Sequence, residues 1–486
     1  MSQLLNDLDP KLLWKHFAAL SEIPRGSKNE AAVAHHVLSE GKRMGLPTRQ
    51  DGAGNVLITK AATKGKEGAP TTILQGHLDM VCEKNSDVAH DFAKDPIRMV
   101  REGDFIRAEG TTLGADNGIG CAAALAVLES TDLVHGPLEC LFTIDEETGL
   151  TGAFHLAGDF LKGTRMLNLD TEEEGAVYIG CAGGMDSIAK TEVSLVAPSP
   201  GKKPHRLKIT GLRGGHSGVD IHEGRANALK LLGRVLRHTI GPHALEVASL
   251  DGGSKRNAIP REAFAVVYLD PARVPALAKD LASLQAQARA EVGKIDAGIT
   301  LTVEPVDAVA APSKVFATKD ALRIAGFLHA SLHGMLAMSP DIPDLVQTST
   351  NLAIIETSGS TVTVSMSHRS SIDSAKKDVG EMIAAHCELA GFTVEQGDGY
   401  PGWAPNVGSA LLAQAKQVHA KLFGKEPDVK AIHAGLECGI IGEKYPNLDV
   451  ISFGPTIQNA HSPAERVSIP SVAGFWKYLS AMLAAA

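Results

Sequence analysis

The sequence lacks the features of a membrane protein or of a nucleic-acid-binding protein. It contains no uninterrupted apolar stretch of about eighteen residues, which a membrane-spanning helix needs, and its first residues show no basic segment followed by a hydrophobic one. It also has no block of basic residues, and 56 acidic side chains outnumber 47 Lys and Arg for a formal charge of -9. We therefore expect a cytoplasmic protein whose main partner is not nucleic acid.

Closely spaced cysteines are missing as well. The six cysteines form no CxxC pair, and most of them lie in apolar surroundings. Buried thiols are thus expected here, rather than disulfides or zinc ligands.

The pattern of predicted strands and helices indicates an α/β protein with an insertion. At 486 residues the chain is long enough for two or more domains. Alternating strands and helices in residues 1–189 and again in 399–486 predict one discontinuous domain with a covered, mostly parallel sheet.

The intervening residues 190–398 have a different pattern. Residues 190–205 are rich in proline, glycine and lysine and are either a boundary or a long hairpin. Residues 206–304 then follow the order βαββαβ, the split-βαβ or ferredoxin-like plan. A second, partial copy is expected within 318–397, so the insert is predicted to be an α+β domain built from such units.

The stretch TIDEETG places three carboxylates, Asp145, Glu146 and Glu147, at the end of an apolar run that reads as a buried strand. Two like charges about 6 Å apart repel by roughly 3 kcal/mol at an effective dielectric of about 20. A positively charged partner is therefore expected beside them.

Other apolar strands also end in residues that can bind a metal. His77 and Asp79 follow one strand, Asp170 follows another, and His461 comes shortly after a third, while Asp116 opens a glycine-rich helix start. In open α/β sheets, sites lie outside the carboxyl ends of the strands, so these side chains are expected in one crevice.

Two histidines with three or more carboxylates suit a pair of divalent ions about 3.5 to 4 Å apart. Mixed nitrogen and oxygen ligands favour Zn²⁺, with Mn²⁺ or Co²⁺ as replacements. His-x-Asp on a strand places both side chains on one face, which lets the carboxylate orient the imidazole. One glutamate of the Glu146-Glu147 pair would bind metal and leave its neighbour for proton transfer.

The motifs HLDMV, GADNGIG, DEETG, LNLDTEEEG, GGHSG, RNAIPREA, HAGLECG and GPTIQNAHSP occur in this order. Together they resemble the aminoacyl-histidine dipeptidases, also called cytosol non-specific dipeptidases, of the glutamate-carboxypeptidase-like family of dinuclear zinc peptidases. The resemblance covers essentially the whole chain.

This resemblance implies roles for the residues that match the motifs. Asp116 would bridge two metal ions, and the peptide bond after it would be cis. The resemblance implies the following ligand sets and catalytic residues: His77, Asp116 and Asp170 for one metal, Asp116, Glu147 and His461 for the other, Glu146 as catalytic base, and Asp79 as the acid that orients His77. It gives no role to Asp145, which is expected to be an exposed structural acid.

Three further residues match substrate-binding positions of the family. By resemblance, His216 would reach the site from the inserted lid domain and stabilise the oxyanion, while Arg369 and Asn257 would bind the substrate's carboxylate and carbonyl region. The alternative is structural: His216 packs in a glycine-rich turn, Asn257 lies in a turn before Pro260, and Arg369 is a surface arginine.

The resemblance thus predicts a metallopeptidase that hydrolyses dipeptides with a free amino terminus, including Xaa-His, by attack of a water bridging the two metals. We expect a homodimer with small dipeptides as its other partners. An N-acyl-amino-acid deacylase of the same family and a non-catalytic metal-binding scaffold are the alternatives. Glu437 is left without a role, and Glu172, Glu173 and Glu174 are interpreted as a solvated turn, one of which could meet a substrate ammonium.

Overall fold

The computed structural model describes residues 3–486, which form two compact units. The first unit contains the chain up to Gly180 together with Trp403–Ala431 and Leu436–Ala486. The second contains Cys181–Gly402 and Ile432–Gly435. The predicted segments 1–189, 190–398 and 399–486 stay a prediction, and the first two residues of 1–189 lie outside the described range.

Helices are distributed over both units. Within residues 3–486 the α-helices are α1 Lys11–Ser21, α2 Ala31–Arg43, α3 Ala115–Glu129, α4 Glu146–Gly149, α5 Thr151–His155, α6 Ala228–Thr239, α7 Val274–Val292, α8 Thr318–Ala330, α9 Asp373–Leu389, α10 Ala410–Phe423, α11 Glu437–Lys444 and α12 Ile469–Ala485. No helix in this part of the chain combines the length and the hydrophobicity that crossing a bilayer requires.

The strands build two large sheets and several small ones. They are β1 Thr48–Gln50, β2 Val56–Lys60, β3 Thr72–His77, β4 Met99–Glu102, β5 Phe105–Ala108, β6 Leu138–Thr143, β7 Arg165–Asn168, β8 Ala176–Cys181, β9 Gly183–Glu192, β10 Leu195–Val196, β11 Lys203–Thr210, β12 Gly215–His216, β13 Glu246–Gly252, β14 Ala258–Ile259, β15 Ala263–Leu269, β16 Thr300–Pro305, β17 Val315–Phe316, β18 Gly334–Met338, β19 Val346–Ser358, β20 Thr361–Ser370, β21 Thr393–Gln396, β22 Asp428–Ile432, β23 Asp449–Ser452, β24 Ile457–Gln458 and β25 Arg466–Ser468.

The first unit is organised around an eight-stranded sheet in the order β1-β2-β6-β3-β7-β23-β8-β22. Its central strands β6, β3, β7 and β23 are parallel, and antiparallel strands flank them. Every residue of β3 and β6 is buried, as expected for strands covered on both faces. Helix α3 is apolar almost all round and almost wholly buried against this sheet. The predicted covered, mostly parallel sheet is confirmed in its centre.

The second unit contains a nine-stranded antiparallel sheet in the order β16-β11-β15-β13-β19-β20-β9-β21, with β18 paired to β19. One βαββαβ motif is formed by strands β11, β13, β15 and β16 with helices α6 and α7. A second βαββαβ motif with the same strand order is formed by strands β9, β19, β20 and β21 with helices α8 and α9. The first strand of this second copy, β9, precedes the whole first copy in the chain, and this explains why the sequence shows only a partial repeat. Because β9 begins at Gly183, the second unit also starts before residue 190.

None of the six cysteines forms a disulfide bond, and five of them are buried. This agrees with the expectation from their spacing.

Candidate metal centre

The predicted metal ligands all belong to the first unit, where they lie at one edge of its sheet. His77 is the last residue of β3, Glu147 follows β6, and Asp170 follows β7. The three strands are parallel neighbours, so their carboxyl ends meet at the same edge. Asp116 comes from the start of α3, and His461 comes from the connection between β24 and β25.

These side chains form two groups that share Asp116. The first group is His77, Asp116 and Asp170, and the second is Asp116, Glu147 and His461. His77 Nε2 lies 3.1 Å from Asp116 Oδ1 and 3.2 Å from Asp170 Oδ1. His461 Nε2 lies 3.1 Å from both Asp116 Oδ2 and Glu147 Oε2. Asp116 thus offers one oxygen to each group, and its peptide bond to Asn117 is cis, as the resemblance implied.

Asp79 connects one histidine with the acidic pair after β6. Its Oδ1 lies 3.3 Å from His77 Nδ1, so the two side chains share a face as the His-x-Asp pattern predicted. The backbone N–H groups of Glu146 and Glu147 donate to the two oxygens of Asp79 at 3.0 and 3.2 Å. The Ser27 hydroxyl also donates to Asp79, at 2.8 Å. A single buried carboxylate therefore fixes the imidazole and the two glutamates together.

The charges in this cluster shift its proton affinities strongly. Burial disfavours the cationic form of His77, but the charge of Asp170 and hydrogen bonds with its carboxylate neighbours raise the pKa of His77 well above its ordinary value. Hydrogen bonds with Asp116 and Glu147 raise the pKa of His461 to about 11. Burial opposes ionisation of Asp79, yet its hydrogen bond with His77 lowers the pKa of Asp79 to about 2.

The carboxylates that lack such a partner shift in the other direction. Burial raises the pKa of Glu146 well above its ordinary value; His77 opposes this shift, and the neighbouring carboxylates add to it. Burial and the charge of Asp116 also raise the pKa of Asp170. The cluster therefore holds more negative charge than its two histidines compensate.

Donor atoms in the cluster fit divalent metal ions. Glu147 Oε1 is a buried side-chain oxygen without a hydrogen-bond partner among the described residues. Buried polar atoms normally have such a partner, and metal coordination is one way to satisfy them. Two imidazole nitrogens with carboxylate oxygens are also the donor set that Zn²⁺ accepts. The residues present therefore fit a pair of divalent ions.

Two acids near the centre differ from the sequence interpretation. Asp145 is buried rather than exposed, because it accepts hydrogen bonds from the hydroxyls of Thr148 and Thr151 and so closes the short turn around α4. Glu172 is half-buried rather than solvated, and burial together with the charges of Asp116 and Asp170 raises its pKa. Nothing in the run Glu172-Glu173-Glu174 indicated that the first of these acids lies against the cluster.

Glu437, which the sequence left without a role, lies beneath the same edge of the sheet. Its side chain is fully buried, and its Oε2 accepts from Gln75 Nε2 and from the Thr143 hydroxyl, each at 2.6 Å. Burial raises the pKa of Glu437 to about 7. Gln75 and Thr143 belong to the strands that carry His77 and Glu147, so Glu437 links these two strands.

His216 and Asn257 lie in the second unit on two short strands and their turn. His216 ends β12, which pairs with β14, and the Ser217 N–H donates to the Asn257 carbonyl at 2.8 Å. The N–H groups of Gly218 and Val219 point at His216 Nδ1 from 3.2 and 3.0 Å. Burial and the nearby charge of Arg369 lower the pKa of His216. The imidazole is therefore neutral and carries its proton on Nε2, where it can donate a hydrogen bond.

Arg369 is buried in β20 of the second unit, so the interpretation as a surface arginine is wrong. Its Nη1 donates to the Tyr400 hydroxyl at 2.9 Å, while its Nε is buried without a hydrogen-bond partner. Among the described residues it makes no ion pair with a carboxylate within 4.0 Å. A buried guanidinium without a counter-ion is suited to binding an anion.

His433 is a neighbour of Arg369 that the sequence did not single out. Its Nε2 lies 2.7 Å from the Ser349 hydroxyl, and its Nδ1 is buried without a partner. Burial and the charge of Arg369 lower the pKa of His433 to about 3, so this ring is neutral. Only long-range folding brings His433 to Arg369, because 64 residues separate the two positions along the chain.

A comparison with protein families identifies the fold. The model of Peptidase family M20/M25/M40 matches residues 73–485, a stretch that includes every side chain of the metal cluster. The chain belongs to this family.

Individual relatives support the same assignment. The peptidase is 40% identical over 479 residues to the cytosol non-specific dipeptidase of Escherichia coli (strain K12), covering 99% of this chain and 98% of the relative. It superposes on the aminoacylhistidine dipeptidase from Vibrio alginolyticus with a TM-score of 0.89 and 43% identity, covering 99% and 98% of the two chains. The aminopeptidase PepT from Bacillus cereus shares the fold at 15% identity and a TM-score of 0.56, with 98% and 99% coverage. The resemblance noted from the motifs is confirmed.

Proposed function

We propose that this peptidase is a dinuclear metal-dependent dipeptidase that hydrolyses dipeptides with a free amino terminus, including Xaa-His. The observation that carries the proposal is that Asp116 belongs to two groups of possible metal ligands, one with His77 and one with His461. Glu146 lies beside these groups. Full-length similarity to two dipeptidases supports the substrate class.

His77, Asp116 and Asp170 would hold one ion, and Asp116, Glu147 and His461 the other. Zn²⁺ suits this mixture of nitrogen and oxygen donors, and Mn²⁺ or Co²⁺ could replace it. When bound, two divalent ions polarise the scissile carbonyl and lower the pKa of the attacking water.

Glu146 is the residue we assign to proton transfer. Its carboxyl has a raised pKa, and its backbone N–H donates to Asp79, which holds the residue at the cluster. We propose that it takes a proton from the attacking water and returns it to the leaving amine. A base with a pKa near the working pH is best suited to both steps.

Asp79 would act through His77 and not on the substrate. Its carboxylate lies against His77 Nδ1 and fixes the ring orientation, which leaves Nε2 for the metal.

In the second unit we assign three side chains to substrate binding. His216 would donate from Nε2 to the oxyanion, since its Nδ1 already accepts backbone N–H groups. Arg369 would bind the substrate carboxylate, because it is a buried cation without a counter-ion. Asn257, an exposed side chain in the turn next to β14, would contact the substrate carbonyl region.

A substrate comparison tests the proposal. Purified enzyme with Zn²⁺ or Mn²⁺ should hydrolyse a dipeptide such as Ala-His and leave its N-acetylated form intact. Turnover of only the acetylated form would favour a deacylase and overturn the substrate class. No turnover of either compound would favour a metal-binding scaffold.

A variant tests the role of Glu146. Glu146→Gln should keep two metal ions and lose about 10² to 10⁴ in kcat, the usual contribution of a general base. Glu174→Gln changes an exposed acid of the same unit and is the matched control. Full activity of Glu146→Gln would exclude our assignment of the base.

We also propose a cytoplasmic location and a homodimer for this peptidase. The name of the Escherichia coli relative, a cytosol dipeptidase, supports the location. Analytical ultracentrifugation should give a mass near twice 51.0 kDa, and a single species at the monomer mass would contradict the dimer.

A further inference from the structure

The connection that carries Asp116 into the metal cluster is held by a buried carboxylate from another part of the chain. Glu465 is 2% exposed and immediately precedes β25. Its Oε2 accepts from the N–H groups of Leu113 and Gly114 at 2.7 and 3.0 Å. Its Oε1 accepts from Ala115 at 2.7 Å and from Asp116 itself at 3.4 Å. One carboxylate thus binds four consecutive backbone N–H groups.

A buried arginine holds the carbonyl side of the same connection. Arg25 is also 2% exposed, and its Nη2 donates to the Gly114 carbonyl. Its Nη1 donates to the carbonyls of Leu78 and Asp79, both at 3.0 Å. Arg25 therefore ties the residues that follow His77 to the residues that precede Asp116.

Gly114 shows how closely these groups fit. It has a φ of +68°, and a Cβ at this position would lie 2.5 Å from Arg25 Nη2 and 2.8 Å from Met80 Sδ. The backbone before Asp116 thus has little room to move.

We propose that Glu465 and Arg25 are positioning residues that hold Asp116 in its bridging place and thereby set the affinity for both metal ions. Neither side chain is among the proposed ligands, and neither is assigned to proton transfer or to the substrate. Glu465 follows His461 by only four residues, so the same short segment supplies one ligand and fixes another. The inference rests on the proposed metal centre.

The competing explanation is that Glu465 only stabilises the fold by satisfying N–H groups at the start of α3. The chain contains a matched control for this explanation. Glu139, on β6 in the same unit, is 4% exposed and accepts backbone N–H groups of Lys162 and Gly163 at 2.9 Å. It lies near the amino end of its strand, whereas the metal ligands lie at the carboxyl ends.

The test compares Glu465→Gln with Glu139→Gln by titration of chelator-stripped protein with Zn²⁺ alone against a competing chromophoric chelator. In each variant the amide presents an NH₂ group to backbone donors, so thermal unfolding of the metal-free proteins should show a loss of stability in both. Only Glu465→Gln should lose Zn²⁺ affinity, by about 10- to 100-fold, the usual effect of removing a partner that orients ligands. Glu139→Gln should stay within about twofold of wild type, as expected for a distant and independent site.

The inference would be overturned if Glu465→Gln bound Zn²⁺ as tightly as wild type, or if Glu465→Gln and Glu139→Gln lost Zn²⁺ affinity equally. If Glu465→Gln does not fold, Arg25→Lys replaces it in the test. Lysine keeps the charge but cannot bind the carbonyls after His77 and the Gly114 carbonyl at the same time. A Zn²⁺ affinity equal to wild type in Arg25→Lys would also overturn the inference. A wild type that binds fewer than two Zn²⁺ would instead refute the proposed function.

Discussion

The metal affinity of this peptidase should depend steeply on pH, because both histidines that we propose as ligands hold their protons tightly in the metal-free protein. Hydrogen bonds to Asp116 and Glu147 raise the pKa of His461 to about 11, and the pKa of His77 is also well above its ordinary value. Both rings therefore hold their protons more tightly than ordinary histidines do. A ring nitrogen must lose its proton before it can bind a metal, so loading both ions should release about two protons from the histidines.

The size of the effect follows from this count. Each released proton makes the metal-binding constant rise tenfold per pH unit, so about two protons give about a 100-fold rise in the overall affinity for two ions between pH 7.5 and 8.5. Two histidines with an ordinary pKa of about 6.5 would already be neutral in that range, and the affinity would then hardly change. The direction is fixed as well: affinity rises with pH because the protonated form cannot bind.

Competition between the metal-free enzyme and a chelator of known proton affinity measures this slope. Titration calorimetry in two buffers with different ionisation enthalpies counts the released protons independently. His461→Ala removes one of the two histidines, and its remaining site should show a slope of about one. A change of about tenfold per pH unit or less in the wild type would refute the reasoning, since at least one histidine would then be neutral without metal.

Three further predictions concern single side chains. Asp79→Asn weakens the partner of His77 and should lower Zn²⁺ affinity or kcat by about 10- to 100-fold, with Ser27→Ala as the milder control. Arg369→Lys keeps the charge but loses the planar fork, so KM for a dipeptide should rise about tenfold or more while kcat changes less; an unchanged KM would contradict carboxylate binding. His368 is fully buried, and burial lowers its pKa to about 4, below the value of about 6.5 in the unfolded chain. Its contribution to the free energy of unfolding is therefore present above about pH 6.5 and is lost as the pH falls. Urea unfolding should show a loss of about 2 kcal/mol between pH 7 and pH 5 that is absent in His368→Gln, and equal pH slopes in the two proteins would contradict it.

The clustering of the proposed ligands could be predicted because most of them follow a recognisable local pattern. His77 and Asp170 come at or just after buried strands, and Asp116 opens a helix after a glycine. The rule that parallel strands share a carboxyl edge then brings them together without knowledge of the strand order. The first βαββαβ motif could be recognised for the same reason, and the second only in part, because its first strand β9 precedes the first motif in the chain.

The supporting side chains could not be predicted, because nothing local separates a buried acid from a solvated one. Glu437 and Glu465 each read as an ordinary helix-terminal or loop acid, and their partners are distant along the chain. Glu465 binds residues about 350 positions away. Asp145 was misjudged for a related reason: its partners are two threonine hydroxyls that become donors only when the chain turns back after β6.

Buried polar side chains also fix the register of the strands that carry the ligands. A slip of one residue would turn His77 to the opposite face of the sheet, so the alignment of β3 with its neighbours must be specified. Gln75 donates to Glu437 and accepts from Asn168 Nδ2 at 2.5 Å, which ties β3 to β7. Asn168 in turn accepts from the Ser452 hydroxyl of β23.

These hydrogen bonds explain why polar residues interrupt otherwise apolar strands. Apolar contacts alone tolerate a shifted alignment, whereas an amide or carboxyl that loses its buried partner costs about 1–3 kcal/mol. Gln75 and Asn168 are at most 1% exposed, so neither can turn to water instead. Each slipped register would break several such bonds at once, and the cluster can therefore assemble only when every strand ends at the right residue.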